Sequence, residues 1–356
     1  MAEALDSEKM REQLLHIAGM MTGAHVATMI ILGIRLGLYR ALAGAGPVTS
    51  DELAQRTGLH ERWLREWLQG QVAGGVLDYQ GEGRYELSPE TAILLADEDG
   101  MAYLGHNFDA LPHLMALIDP LQESFRTGIG LSWSDRDAET VVSTERVFRN
   151  WYQQALVPVA LPAIDGVTAM LDAGGKAADV GCGTGIALIE MAKAYPASSF
   201  HGYDISQNAL DRAEQNKSEA GVENLTFHNI DGDPMPGDGS FDFITTFDCL
   251  HDMTRPAEAV AAIRAAIKPD GVWLIADINS APTFEENLPN PLAPMFYALS
   301  VLSCMSSGLS EPGGAGLGTV GLPEPKMREL VQGAGFTQFR RLEIPHLVNA
   351  FYEARV

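Results

Sequence analysis

Apolar residues recur every three or four positions through Leu14, Ile17 and Met21, which predicts a helix over residues 10–43. Gly44 to Pro47 breaks it. Next, Ser50 is placed to cap a helix starting at Asp51, Gly58 to make a turn, and Trp63, Leu64, Trp67 and Leu68 to form one face of a second helix. The alternation in GVLDYQGEGRYELS predicts a hairpin turning at Gly81 to Gly83. That is a winged-helix pattern. Residues 96–170 read as helical, with breaks around Pro112, Pro120 and TGIGLSWSD. From Ala177 the period changes. Short apolar runs (AADVGCG, SSFHGYDIS, LTFHNID, FDFITTFDCL, GVWLIADIN) alternate with helical segments such as SQNALDRAEQNKSEAG. Alternation of this kind predicts a parallel, doubly wound α/β sheet. The chain closes on a helix, MRELVQGAGF, and two strands, TQFRRLEIP and NAFYEARV, that form an antiparallel hairpin. The expected domains are an N-terminal helix plus winged helix (1–95), a helical connector (96–165) and the α/β domain (166–356), with an insertion at about 278–325.

Charge narrows the functions available. A net charge of −23 opposes general affinity for nucleic acid or anionic membrane. A winged helix suggests DNA, yet the first 90 residues hold eight basic against twelve acidic side chains, and Arg62 and Arg65 are offset by Glu61 and Glu66. A DNA reader needs a positive footprint, so no nucleic-acid partner is expected. The three cysteines, Cys182, Cys249 and Cys304, fit neither a disulfide framework nor a metal knuckle, which favours a reducing compartment. Glu3, Asp6 and Glu8 stand where a secretory leader would be basic. The apolar run between His16 and Arg35 is interrupted by His25 and is barely long enough to span a bilayer, so it reads as a helix buried at a domain or subunit interface. A cytoplasmic protein without a membrane partner is expected.

The stretch AADVGCGTGIALIEMA reads as strand, glycine loop and helix. Its spacing, Gly181-x-Gly183-x-Gly185, is one residue shorter than the dinucleotide-binding fingerprint. Asp179 precedes the loop by two residues, and Asp204 closes the next strand 25 residues further on. Asp204 suits a carboxylate accepting from ribose hydroxyls. Asp231 ends the following strand and is placed to accept from an adenine amino group. Three acids with no cation to receive a diphosphate suit a nucleoside bearing a positive charge and an amino-acid tail. S-adenosylmethionine is such a ligand.

On DVGCGTG, YDIS, DGDPMPGDGSFDFI and FDCLHDMTRPAEAVAAIRAAIKPDGVWLIAD, taken in that order, residues 165–356 resemble a class I S-adenosylmethionine-dependent methyltransferase. The region ahead of them is similar to that of small-molecule O-methyltransferases of bacteria and plants, where it pairs two subunits and covers the substrate. The resemblance implies a Rossmann-like sheet, a homodimer and a small, fairly apolar acceptor methylated most often on oxygen. It gives Gly181, Gly183 and Gly185 the role of admitting the methionyl part. Asp179 orients the loop or the ligand's amino group, Asp204 holds the ribose, and Ile205 lies against the adenine. Asp231 and the Gly232 amide read the adenine edge, and Phe247 and Asp248 line the pocket near the sulfonium.

His251 and Asp252 match a His-Asp pair of the plant enzymes, where the histidine is the general base that deprotonates a phenol. The tryptophan that follows the pair there is replaced by Met253, and a packing role for His251 stays open. Within the insertion, Met295, Phe296, Tyr297 and Met305 are read either as a lid over the acceptor, with Met20, Met21 and His25, or as plain core or dimer interface. No metal is expected. Two other readings stand beside methyl transfer: a protein that binds the cofactor for other chemistry, and a ligand-responsive transcription regulator on a methyltransferase core.

Overall fold

The computed structural model describes residues 5–356 and divides at Leu111/Pro112 into two compact units. In the first, Asp6 caps a 29-residue helix, Ser7–Arg35, by accepting from the amides of Glu8 and Lys9. The expected run to residue 43 is broken instead at Gly37, whose φ of +67° starts a separate turn, Leu38–Leu42. Thr49, not Ser50, caps the next helix, Ser50–Thr57, because it forms a reciprocal capping box with Glu52. Gly58 then turns the chain in the left-handed conformation into the helix Glu61–Ala73. Strands β1 (Asp78–Gly81) and β2 (Arg84–Glu86) pair antiparallel, and Val48 bridges to Tyr85. This winged helix packs on Leu38, Tyr39, Leu42, Leu53, Leu64, Trp67, Leu68 and Tyr85. Arg62 and Arg65 are engaged by Glu66 and Glu61 on their own helix, so that helix offers no free positive face.

The second unit opens with helices and then builds one seven-stranded sheet. Pro112 and Pro120 both lie inside helices (Gly105–Met115 and Ile118–Thr127) where breaks were expected. Pro120 sits in a first turn, where a missing N–H leaves no intrahelical bond unmade. The helix Ala138–Trp151 continues into a π-helical segment, Tyr152–Ala160. The strands are β3 (Lys176–Val180), β4 (Ser199–Asp204), β5 (Leu225–Asn229), β6 (Phe241–Phe247), β7 (Ile267–Ile278), β8 (Gln338–Leu342) and β9 (Asn349–Arg355). Their order is β5-β4-β3-β6-β7-β9-β8, with β9 antiparallel to both neighbours and the first five strands parallel. This is the expected Rossmann-like doubly wound sheet with its C-terminal hairpin.

Alternate residues of the central strands face opposite layers. Phe243, Leu274 and Phe351 join Leu156, Leu188 and Met191 on one side; Ile244, Trp273, Ile275 and Tyr352 join Val260, Ile263 and Phe336 on the other. Burial on both faces is why these strands read as nearly continuous apolar runs. The strand order reverses beside β3, so β3 and β6 end at the crevice where folds of this kind bind ligands.

Gly33 is the tightest point of the first unit. A Cβ there would lie 2.5 Å from Trp67 Cζ2 and 2.7 Å from Tyr39 Cε2. Trp67 cannot retreat freely, because its Nε1 donates to Met29 O at 2.9 Å. Gly33→Ala gains about 1 kcal/mol of helix propensity but overpacks a core, at about 1–3 kcal/mol. Denaturation followed by tryptophan fluorescence is expected to show net destabilisation.

Candidate active site

β3 brings Asp179 and Val180 to the crevice, where the chain turns into the helix Ile186–Ala194. Gly181, Gly183 and Gly185 all have positive φ, at +74°, +53° and +73°. Their surroundings differ. A Cβ on Gly181 would meet Cys249 Cβ at 2.7 Å, and one on Gly185 would meet Phe227 Cζ at 2.4 Å, while one on Gly183 meets nothing within 4 Å. Only Gly183 therefore presents bare backbone to open space. The other two answer to φ and to close packing, a different reason from the ligand access expected of all three.

Asp204, at the end of β4, pins this loop: its Oδ2 accepts from Gly183 N and its Oδ1 from Ser206 N, both at 2.8 Å. Burial pushes its pKa up, against those amide bonds. Each of its oxygens keeps capacity for another donor. The loop amide is thus held by Asp204, whereas Asp179 is buried and accepts from Thr245 Oγ1 at 2.7 Å. Burial raises Asp179 to about 8; the Thr245 bond opposes this and the Asp204 charge adds to it. Ile230 N donates to Asp204 O at 3.0 Å, which sets Asp231 beside this strand end. Asp231 is exposed, the Gly232 amide donates to Asn229 O at 3.1 Å, and Ile205 is 39% exposed.

At the end of β6, Asp248 takes a φ of +52°, unusual for a residue with a side chain. Its Oδ2 accepts from Asn349 Nδ2 at 2.6 Å, while Oδ1 is buried without a partner. Burial lifts it to about 7, helped by the Asp277 charge and opposed by His251. Phe247 lines a small cavity with Asp248, Trp151, Tyr152, His346 and Asn349. Tyr152 stands edge-on to Phe247 at 5.3 Å between ring centroids.

His251 is buried, and its Nδ1 lies 2.7 Å from Asp277 Oδ1, at the end of β7. Burial alone would lower its pKa, but the charge and hydrogen bond of Asp277, with Cys304, outweigh it and raise the value well above the ordinary one. Asp277 Oδ1 also accepts from Ile278 N at 2.7 Å, and Oδ2 is buried without a partner. Asp252 accepts from Trp133 Nε1 at 2.5 Å and is lifted to about 7, first by burial. Its side chain faces Trp133, leaving Asp277 to orient the histidine.

The insertion folds over this region. Its helix Ala293–Leu299 runs through a π-helical turn, Ser300–Cys304, into Met305–Gly308, and Gly318 N donates to His251 O at 3.2 Å. Phe296 is buried and Met295 exposed; Tyr297 is half-buried, edge-on to Phe284 at 5.6 Å, and half-buried Met305 directly follows Cys304. His25, Met20 and Met21 lie on the long helix of the first unit, where His25 Nδ1 bonds Met21 O at 2.7 Å.

Several residues of the site escaped the sequence reading. Asp277 carried the same strand-end signal as Asp179 and Asp204 and was passed over as a boundary. Trp133 and Arg136 sat in or beside a stretch read only as a break. Trp151, Tyr152 and Asn349 gave no signal, since they reach the site through tertiary packing.

Residues 171–304 match the family profile described as "Methyltransferase domain", and residues 24–97 match "Rv2258c-like winged HTH domain". Residues 171–304 are thus similar to a methyltransferase domain and residues 24–97 to a winged helix-turn-helix domain. A ubiquinone biosynthesis O-methyltransferase of Methylococcus capsulatus is 32% identical over 127 residues, 35% of this chain and 52% of that protein. The chain thus matches about half the length of that relative. An O-methyltransferase family protein from Burkholderia thailandensis superposes with a TM-score of 0.68 at 15% identity, covering 99% of this chain and 98% of that one. Human N-acetylserotonin methyltransferase in complex with SAM gives a TM-score of 0.64 at 20% identity, with 100% and 99% covered.

Two outcomes follow from the loop and its acids. Gly183→Ala is expected to cost about 1–2 kcal/mol in urea denaturation, the left-handed penalty alone. Gly185→Ala costs about 1–3 kcal/mol more from overpacking against Phe227, and Phe227→Ala restores part of that. The second concerns pH. Because the folded value of Asp179 lies above that of the unfolded chain, its contribution to stability is complete below pH about 4 and is lost as pH rises through about 8. Asp179→Asn is therefore expected to raise the melting temperature relative to the parent protein by a margin that grows from pH 5 to pH 9.

Proposed function

We propose that this protein is an S-adenosylmethionine-dependent methyltransferase that methylates an oxygen of a small molecule. The observation that supports this best is the crevice itself. Bare backbone at Gly183 opens beside buried Asp179 and half-buried Asp204 and Asp248, acids whose pKa values are all raised and none of which has a cation within ion-pairing distance among the described residues. Such a site fits a nucleoside carrying positive charge. A relative and a structural neighbour named as O-methyltransferases, and a second neighbour named as a methyltransferase and solved with SAM, agree with it.

When bound, S-adenosylmethionine supplies an electrophilic methyl group on a sulfonium. Asp204 accepts from the ribose hydroxyls while holding the Gly183 amide, and Asp231 and Ile205 take the adenine at the neighbouring strand end. Asp179 and Asp248 would face the ammonium and sulfonium, whose positive charge would favour loss of their protons, and the ring of Phe247 would exclude water. His251, oriented through Nδ1 by Asp277, would take the proton of the acceptor's hydroxyl. Much of the remaining acceleration is alignment.

The long first helix supports a homodimer. It exposes Leu14, Ile17, Met20 and Met21, each at least 60%, an apolar surface larger than solitary side chains would explain. It is also long and apolar enough to cross a membrane, by length and composition only. Pairing with a second copy in the cytoplasm is the reading taken here. His25, Met20 and Met21 belong to that face, and Met305, Tyr297 and Phe296 to the lid.

The test is transfer of a labelled methyl group to phenolic acceptors. A base must be neutral to act, and the pKa of His251 is raised, so activity is expected to climb with pH through a limb on the alkaline side of the ordinary histidine value. Asp277→Asn moves that limb toward acid and lowers kcat. His251→Ala lowers kcat/KM by about 10²–10⁴-fold while cofactor affinity stays within a few-fold. No binding of S-adenosylmethionine or S-adenosylhomocysteine would refute the methyltransferase reading; full activity in His251→Ala would refute the base.

A further inference from the structure

Arg136 is 5% exposed, yet its guanidinium has no carboxylate within 4.0 Å among the described residues. Its Nε is buried without a partner, and Nη2 reaches only Leu302 O, at a long 3.4 Å. The group lies over the Trp133 ring at 5.4 Å from its centroid. Asp135, Asp137 and Asp252 act on it from longer range, and burial dominates its electrostatics. Nearby arginines are treated differently: Arg149 and Arg212 both close on the buried Glu145. An arginine left buried without a partner costs several kcal/mol, and a planar guanidinium is shaped for a two-pronged oxyanion.

Its position says which oxyanion. Leu302 belongs to the inserted segment Ser300–Cys304, whose following loop reaches His251, where Gly318 N donates to His251 O at 3.2 Å. Trp133, beneath the guanidinium, bonds Asp252, the neighbour of His251. Asn208, on the helix that follows Asp204, donates from Nδ2 to Arg136 O at 2.7 Å and fixes the backbone at this point. The unpaired cation thus touches the inserted segment at Leu302 and, through the Trp133 ring, the acid that follows His251.

We propose that Arg136 is the counter-ion for a carboxylate on the methyl acceptor, so that the substrate class is a small hydroxylated carboxylic acid. This rests on the methyltransferase reading and sharpens it. A carboxylate could also come from the methionyl tail of the cofactor, and the experiment separates the two sources. Protein saturated with S-adenosylhomocysteine is titrated calorimetrically with hydroxybenzoates and with the matching hydroxybenzamides, for the parent chain, Arg136→Met and Arg136→Lys.

The parent chain is expected to prefer the acids by about tenfold or more, as one charge-assisted pair of 1.5–3 kcal/mol would give. Arg136→Met abolishes the preference, Arg136→Lys keeps part of it, and S-adenosylhomocysteine affinity stays within about threefold in both. Equal binding of acids and amides, binding of neither, or a preference that survives in Arg136→Met overturns the assignment. So does a tenfold loss of S-adenosylhomocysteine affinity in Arg136→Met and Arg136→Lys with the acid preference intact, which would give the arginine to the cofactor. If the parent chain does not bind S-adenosylhomocysteine at all, it is the methyltransferase reading that fails.

Discussion

Five carboxyl groups crowd one edge of a parallel sheet, and the site is arranged around the cost of that crowding. Asp179, Asp204, Asp248, Asp252 and Asp277 lie at or just beyond the ends of β3, β4, β6 and β7, and burial works against charge on the first four. Hydrogen bonds relieve part of the strain: Thr245 on Asp179, two amides on Asp204, Asn349 on Asp248 and Trp133 on Asp252. Among the described residues, the one cationic partner of these acids is His251, on Asp277. A sheet edge with this surplus of negative charge is stable when some of its acids keep their protons, and it is completed by a ligand that brings positive charge.

The glycine loop serves the same arrangement. Asp204 can approach the Gly183 amide only because the loop turns through three positive φ angles. At two of them the space is filled from within, by Cys249 and Phe227, so the loop is rigid on its protein side and bare at Gly183. One carboxylate therefore both shapes the loop and retains lone pairs for what enters it. Burial of Asp204 makes that double role effective, since a hydrogen bond is stronger where water is excluded.

What could be read from the chain divides by the range of the signal. Strand, loop and acid at Asp179 to Gly185, and strand and acid at Asp204, are contiguous, so local pattern sufficed for the parallel sheet and for the carboxylates at its edge. The winged helix was legible for the same reason, down to the turn at Gly58. Caps and helix ends were less so. Thr49 takes the cap from Ser50 because the reciprocal bond to Glu52 depends on a three-residue spacing that Ser50 lacks. The aromatic wall of Trp151 and Tyr152, the Asp252 partner Trp133 and the amide of Asn349 come from segments 95 residues or more from the groups they touch. No periodicity encodes such meetings.

The two halves of the crevice carry opposite electrostatic logic, and that contrast bears on specificity. Around the glycine loop, acids lack cations; beside the lid, Arg136 lacks an acid. The buried Asp252 accepts from Trp133 and leaves the guanidinium to the indole face and a long bond to Leu302. Had the fold joined Asp252 to Arg136 directly, both charges would be satisfied internally and neither would be available. Keeping them apart with one tryptophan leaves the guanidinium free of an internal acid, while Asp277 raises the base strength of His251. A hydroxyl group on a molecule with a carboxylate at its other end would be oriented by the first charge and deprotonated by the second group.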